Sequence, residues 1–471
     1  VKKAALITLI GKYSVVVINL IYTGILSRIL SPSEFGVITV MLVFMSFFQV
    51  LSEMGIGPAI IQGKNLSSDD NNKLFSLMII VSLVLGIIFF IFSFILDFIY
   101  QTDNYTKLAP LASIALVLYT LNIVPYSINI RKHLFFYVNI GTLVSVIISS
   151  IISIVFALNG ASYTALMVYN ILYSGIILYW NFSKSSLKLD FSNMKASYRK
   201  VSKFTTYQLF FSIINYFSRN IDNLIIGRIN DPSALGYYDK AYRLSQYPVG
   251  YLTHALTPVI HPFLSKHENE QTKIYSAFSN IFIILSFIGV FLGVTSYFIS
   301  DELILIIFGK QWTNSIRPFQ MLSLSIWAQM VTSASGSIFQ SLNKTKLLFL
   351  TGLSSSTLII GCILIGVLLG GIINVSLMVS VGYIINLFLV FFILFRFGFN
   401  YPYIMFLKLM IKDITIIIAL YITLNFTLPY VNFSSVFLTL ISKSFISLVT
   451  FILLSLLFNR IKPLLKAIKE I

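Results

Sequence analysis

The chain has 471 residues, 57% of them hydrophobic and only 10% charged, with a mean hydropathy of +0.89. Soluble domains carry about 25% charged residues, so a water-exposed globule is excluded, and disorder, collagen, coiled coil and disulfide scaffolds fail on the same numbers. The excess of 33 Lys and Arg over 16 Asp and Glu fits basic cytoplasmic loops of a polytopic membrane protein better than a nucleic-acid partner.

In chain order, apolar stretches predict about fourteen transmembrane helices of about 20 residues each. They fall at 8–29, 37–62, 74–99, 108–130, 138–158, 161–181, 204–229, 234–264, 274–299, 316–341, 347–369, 372–395, 403–424 and 434–458. Val1-Lys2-Lys3 and the apolar run behind it resemble a signal peptide. No small-residue cleavage site precedes Arg28, so this segment reads as a retained first helix. The connections are short, and the longest, 182–203, is basic. The single Cys362 lies in an apolar run, which leaves no disulfide framework and no cysteine metal site.

Alternating the loops tests the span pattern. With the N-terminus inside, only Arg28, Lys107, Arg228, Lys310 and Arg317 fall outside, and Arg219, Lys240, Arg243 and Lys443 fall within spans. Every other Lys and Arg lands on the inner side, the bias the positive-inside rule demands. Both termini are therefore expected in the cytoplasm.

An internal repeat is also visible. Residues 28–36 read Arg-Ile-Leu-Ser-Pro-Ser-Glu-Phe-Gly and residues 228–236 read Arg-Ile-Asn-Asp-Pro-Ser-Ala-Leu-Gly. Arg, Ile, Pro, Ser and Gly coincide, and Pro58 and Pro258 keep the same spacing. Each stretch joins the first two helices of a six-helix set. Two sets entering from one side are parallel repeats, with substrate sites expected between such halves. The expected organisation is an N-lobe at 1–181, a basic linker at 182–203, a C-lobe at 204–396, and two further helices with a basic tail at 397–471.

Ionisable side chains within a membrane cost about 2.5–3.5 kcal/mol each, and they face a bundle interior or a wet cavity. Span seven carries Arg219 and Asp222, and span eight carries Asp239, Lys240 and Arg243. Span two carries Glu53 beside Gly55, Gly57 and Pro58. Arg28 and Arg228 stand at the outer ends of equivalent helices. Tyr207, Tyr216, Tyr237, Tyr238, Tyr242, Tyr247 and Tyr251 accompany the charges. One reading is a cationic, tyrosine-lined cavity for an anionic, polyhydroxylated substrate: guanidinium and ammonium groups hold phosphate, and tyrosines stack on sugars. It assigns Arg28, Arg219, Lys240, Arg243, Arg228, Tyr216 and Tyr242 to substrate. The other reading makes Arg219–Asp222 and Asp239–Arg243 structural pairs and lets Arg28 and Arg228 snorkel. Glu53, Asp222 and Asp239 are the structural or coupling acids, Glu53 pairing with Arg28 or Arg131 or binding a proton or cation. Lys443 snorkels or marks a lipid-head groove. His254 and His261 share a helical face without further ligands, so no metal is expected.

No nucleophile–His–acid set, Asp-x-Asp pair or nucleotide-binding domain is present, so a transporter is expected rather than an enzyme. Membrane potential, H+ or Na+ would drive it, and no cofactor is needed.

Residues 26–62 and 219–265, the latter opening Arg-Asn-Ile-Asp-Asn and continuing to Leu-Gly-Tyr-Tyr, resemble bacterial polysaccharide repeat-unit flippases. These are the Wzx-type members of the superfamily that also holds multidrug extruders and the lipid II flippase. The resemblance implies transfer of undecaprenyl-diphosphate-linked oligosaccharide across the plasma membrane by alternating access. It also implies a lipid-tail groove on helices 13 and 14, arginines on the first and eighth helices (here Arg28 and Arg243) for the diphosphate, and a polymerase or export complex as further partner. The alternative on the same fold is a multidrug or cation-coupled antiporter, which would favour an acidic interior. A polymerase is disfavoured by the short outer loops, and a non-transport scaffold would tolerate loss of the buried charges.

Overall fold

In a computed structural model the chain is described over residues 2–53, 55–62, 66–265 and 270–470, and its side chains over the same residues except 2–10, 202–212, 214–215, 218–219 and 251–265. Every regular element among the described residues is helical: α1 (Lys2–Ile29), α2 (Pro32–Glu53), α3 (Ile56–Gln62), α4 (Ser68–Tyr100), α5 (Asn104–Arg131), α6 (Phe135–Leu158), α7 (Thr164–Ser185), α8 (Met194–Ile229), α9 (Pro232–Ser265), α10 (Gln271–Phe298), α11 (Ser300–Ile307), α12 (Ile316–Ser323), α13 (Ile326–Ser333), α14 (Ser335–Ser341), α15 (Thr345–Leu368), α16 (Gly371–Ile393), α17 (Ile404–Thr427), α18 (Val436–Leu457) and α19 (Ile461–Glu470). Among the described residues nine helices are long and apolar enough to cross a membrane. The 28, 36, 34 and 24 residues of α1, α8, α9 and α17 cover four more of the predicted spans. The protein is an all-α, multi-pass membrane protein.

Two predicted spans are interrupted. The second stops at Glu53, turns at Gly55 (φ +69°), a backbone position that favours glycine, and resumes as α3. The stretch 316–341 is three short helices rather than one. Its breaks fall at Leu324–Ser325 and Ala334. Ser323, Ser325 and Ser333 each turn a hydroxyl back onto the carbonyl three residues earlier, at 2.6–2.8 Å. Such back-bonding competes with the helix ladder and bends it.

Inside lipid the buried stripe of a helix is small and polar, because acyl chains already satisfy apolar surface. Helix α6 buries Gly141, Ser145, Ser149, Ser153 and Ala157, every fourth residue, and shows Ile147, Ile148, Ile151 and Val155 outward. On α4, Ser82, Gly86, Phe89 and Ser93 are buried while Leu83, Ile87, Ile91 and Phe94 are exposed.

The chain divides into two compact units, Val1–Gly236 and Tyr237–Ile471. The packing boundary therefore falls later than the start of the second sequence repeat, because α8 packs on α2, α3 and α4. The basic segment 182–203 also lies on the first unit. Lys188 N–H donates to Asn72 (2.9 Å) and Asp190 N–H to Ser76 Oγ (2.8 Å). Lys200 and Ser197 both donate to Asp70. Burial pushes the Asp70 carboxyl up, but the Lys200 ammonium and the hydrogen bonds from Ser67 and Ser197 outweigh it and hold the group well below the usual carboxylate range.

The repeated nonapeptide is a helix start. Ser31 caps α2, with Pro32 first in the helix and the Glu34 carboxylate accepting from Ser31 N–H at 2.6 Å, a capping box. In the second copy Asp231 accepts from Ala234 N–H at 2.6 Å, and Pro232 opens α9. The two starts meet. A Cβ on Gly36 would lie 1.8 Å from the Pro232 carbonyl oxygen, and one on Gly236 would lie 2.1 Å from that of Pro32. Both contacts fall within the first unit. Equivalent residues exchange equivalent contacts, as in a two-fold interface, and only glycine lets the backbones approach so closely.

Candidate functional site

In the first unit, Arg28 is exposed at the end of α1 and donates to the Gly24 carbonyl at 2.9 Å. Arg228, exposed at the end of α8, lies within electrostatic reach of Tyr100. Asp222 is buried and accepts from Asn223 N–H at 2.8 Å. Tyr216 spends its hydroxyl on the Val43 carbonyl and packs its ring on Phe47 and Phe217, so it joins α8 to α2. Glu53 accepts from the Tyr119 hydroxyl at 3.0 Å and is exposed. Its partner is thus a tyrosine on α5 rather than Arg28 or Arg131. The side chains of Arg219, Tyr207, Tyr251, His254 and His261 lie outside the described residues.

In the second unit Asp239 takes Arg243 Nε on both oxygens, at 2.9 and 2.7 Å. The Arg243 side chain is nevertheless 52% exposed, so the acid fixes the guanidinium without enclosing it. Lys240 is different. Its ammonium stands 5.4 Å from the ring centroids of both Phe308 and Trp312, and the residue is 2% exposed. Cation–π contacts from two desolvated rings stabilise such a charge. Lys240 thus packs α9 against the turn after α11. Tyr242 stacks on Tyr238, with centroids 5.9 Å apart, and its hydroxyl meets that of Tyr383 at 3.2 Å.

Two buried ion pairs were not foreseen. Lys443 on α18 contacts Glu302 on α11 at 2.6 Å, so it neither snorkels nor marks a headgroup groove. Arg460 meets Asp413 on α17 at 2.6 Å, the side chains 4% and 1% exposed. The partners are far apart in sequence, and no local spacing signals them.

An apolar groove of about 200 Å³ opens at the break between α12 and α13. Leu324 and Trp327 line it at the break, Gly293 and Tyr297 come from α10, and Ile418 and Tyr421 from α17. Irregular backbone at membrane depth is tolerated where protein or a cavity surrounds it, and interrupted helices characteristically border transporter sites.

These features define a multi-pass, all-α membrane protein with broken helices and charged groups in its interior. Residues 25–317 match the family described as polysaccharide biosynthesis protein, and the chain belongs to that family. It is 25% identical over 388 residues to the lipopolysaccharide biosynthesis protein WzxC of Escherichia coli (strain K12), covering 80% of this chain and 77% of that protein. It is 23% identical over 349 residues to the teichuronic acid biosynthesis protein TuaB of Bacillus subtilis (strain 168), covering 73% and 71%. Its fold is that of the lipid II flippase MurJ in an inward closed conformation, with a TM-score of 0.76 and 17% identity over 97% of this chain and 99% of that one. An inward-facing multidrug resistance MATE transporter shares the fold at a TM-score of 0.61 and 16% identity, over 81% and 94%.

Proposed function

We propose that this chain is a flippase of the bacterial plasma membrane, carrying undecaprenyl-diphosphate-linked oligosaccharide from the inner to the outer leaflet by alternating access for cell-surface polysaccharide biosynthesis. Family membership over residues 25–317 carries this reading. The geometry supports its parts. A polyprenyl tail needs apolar surface, and the groove at the α12–α13 break is lined almost wholly by apolar side chains. A diphosphate needs guanidinium groups, which offer paired donors in a fixed fork. Arg28, Arg228 and Arg243 are exposed, and the sequence offers Arg219 on α8 as a further candidate. Asp239 acts on Arg243 as a positioning residue.

No covalent bond is made or broken in this cycle, so no catalytic residue is assigned. An inside-negative potential drives an anionic headgroup outward by about 2.3 kcal/mol per charge per 100 mV, which makes the membrane potential a sufficient coupling force. Downstream consumption of the glycolipid adds direction.

Depletion of the protein tests the reading. Complete lipid-linked repeat units are expected to accumulate, with sugars protected from an impermeant reagent applied outside. Normal levels and normal outside labelling would remove the flippase reading and favour the antiporter. Arg219→Ala combined with Arg243→Ala is expected to abolish export while leaving membrane insertion intact, and normal export by that variant would sink the cationic site.

A further inference from the structure

The first unit holds a row of tyrosines that the diphosphate does not explain. Tyr22 on α1 stacks on Tyr169 of α7, with centroids 4.7 Å apart and planes 20° apart. Tyr169 stacks in turn on Tyr173, at 6.1 Å and 5°. Tyr119 and Tyr126 stand on α5, which packs along α7, and Tyr119 donates to Glu53. The row therefore runs from the outer half of α1 to the inner end of α2.

Its members share helix faces. Tyr119, Asn122, Tyr126 and Asn129 recur at three- and four-residue steps on α5. Asn181 on α7 donates to Asn122 at 2.9 Å, and Asn129 donates to the Asn181 carbonyl at 3.0 Å. The amides thus brace α5 against α7. Tyr22 is buried and exchanges a 2.9 Å hydrogen bond with Ser153, and Tyr169 donates to Asn19 at 3.2 Å. Tyr169, Tyr173 and Tyr119 are part-exposed, and Tyr126 is 40% exposed.

Glu53 is an exposed carboxylate at the inner end of α2, where it meets water or a polar ligand, so that end of the row is wet. The same carboxylate repels a diphosphate. Tyrosines supply apolar ring faces with neutral hydroxyl donors and acceptors, which suits a polyol with alternating C–H and O–H surfaces.

We propose that Tyr169, Tyr173, Tyr119 and Tyr126, ending at Glu53, form a carbohydrate track along the first unit that holds the glycan of the translocated lipid, separately from the arginines that hold its diphosphate. The proposal rests on the flippase reading and adds to it the site of the sugars. Each ring passes the glycan to the next without a deep well, as a carrier requires.

The test is equilibrium binding to the full-length protein in nanodiscs, using two probes. One is undecaprenyl diphosphate. The other is the lipid-linked oligosaccharide extracted from cells depleted of this protein. Wild type is expected to bind the glycolipid more tightly than the bare lipid. Tyr169→Ala with Tyr173→Ala is expected to weaken glycolipid binding about ten-fold and to leave undecaprenyl diphosphate within about two-fold, which also reports intact folding. Tyr126→Ala, outside the stack, is expected to act in the same direction, and Tyr169→Phe with Tyr173→Phe to retain most of the affinity. Glycolipid binding unchanged in the alanine variants, or no gain from the sugars in wild type, would overturn the track and leave the flippase reading standing. Failure of wild type to bind undecaprenyl diphosphate would overturn both.

Discussion

The two units handle polar groups inside the membrane in opposite ways. In the second, Glu302 pairs with Lys443 and Asp413 with Arg460, Lys240 stands under two aromatic rings, and Asp239 steadies a half-exposed Arg243 within α9. In the first, beside the buried Asp222, the described interior polarity is largely neutral, made of tyrosines and asparagines around an exposed Glu53. Desolvated charges pair because an unpaired one is costly, whereas hydroxyls and amides are satisfied by modest hydrogen bonds and can exchange partners. The second unit therefore ties elements together through Glu302–Lys443 and Asp413–Arg460, while the first keeps a surface that a polyol can compete for.

The sharpest way to break this contrast is at Asp413. Removing one partner of a buried pair costs about 3–5 kcal/mol because the other charge is left stranded. Asp413→Ala is expected to lower the thermal unfolding midpoint of the purified protein by many degrees. Asp413→Leu with Arg460→Met is expected to restore most of it. A single variant as stable as wild type would show that water reaches Arg460 and that the pair is not dry.

Next in size is the contact between the helix starts. Gly36→Val sets a branched side chain against the Pro232 carbonyl, and overpacking of this kind costs about 1–3 kcal/mol. The same change at Gly236 is expected to match it, since the contact is reciprocal. Unequal effects on the unfolding midpoint would argue that the pseudo-symmetry is not energetic.

A smaller effect is expected at the cytoplasmic segment. Asp70→Asn removes the anchor of Lys200, and trypsin is expected to cut faster at Lys195 and Arg199 with the global midpoint little changed. The native Asp70 carboxyl lies below its ordinary value of about 3.9. The stabilisation is thus present above that pH and lost only as pH falls through the lower native value. Protection at pH 5 is expected to equal that at pH 8. The smallest change belongs to Glu302→Gln with Lys443→Met, which discharges both partners and is expected to stay within about 1 kcal/mol of wild type in thermal unfolding. A large loss there would mean that this pair contributes net stability beyond satisfying itself.

Legibility followed the distance between interacting residues. The spans could be read because a lipid-facing helix advertises itself in about 20 consecutive residues. The nonapeptide could be read because its cap, proline and glycine act within one helical turn. The pairing of Asp239 with Arg243 could be read because four residues bring both to one face. Glu302 and Lys443 could not, because neither has a local partner and residues between them cross the bilayer repeatedly. The Tyr119–Asn122–Tyr126–Asn129 spacing puts four polar residues on one face of α5 but says nothing of their neighbours, and three helices had to converge before the row became a surface. The serines at 323, 325 and 333 gave no warning of a broken span, since a hydroxyl turned onto its own helix does not always unwind it.

By itself the sequence determined that this chain crosses the membrane many times, with a repeated helix-start motif, since bilayer thickness and capping act on short stretches. Tertiary structure alone decided which charges tie helices together and which polar groups are open. That choice depends on what each side chain meets across helices, and in a medium of low dielectric the partner, not the residue type, sets the energy.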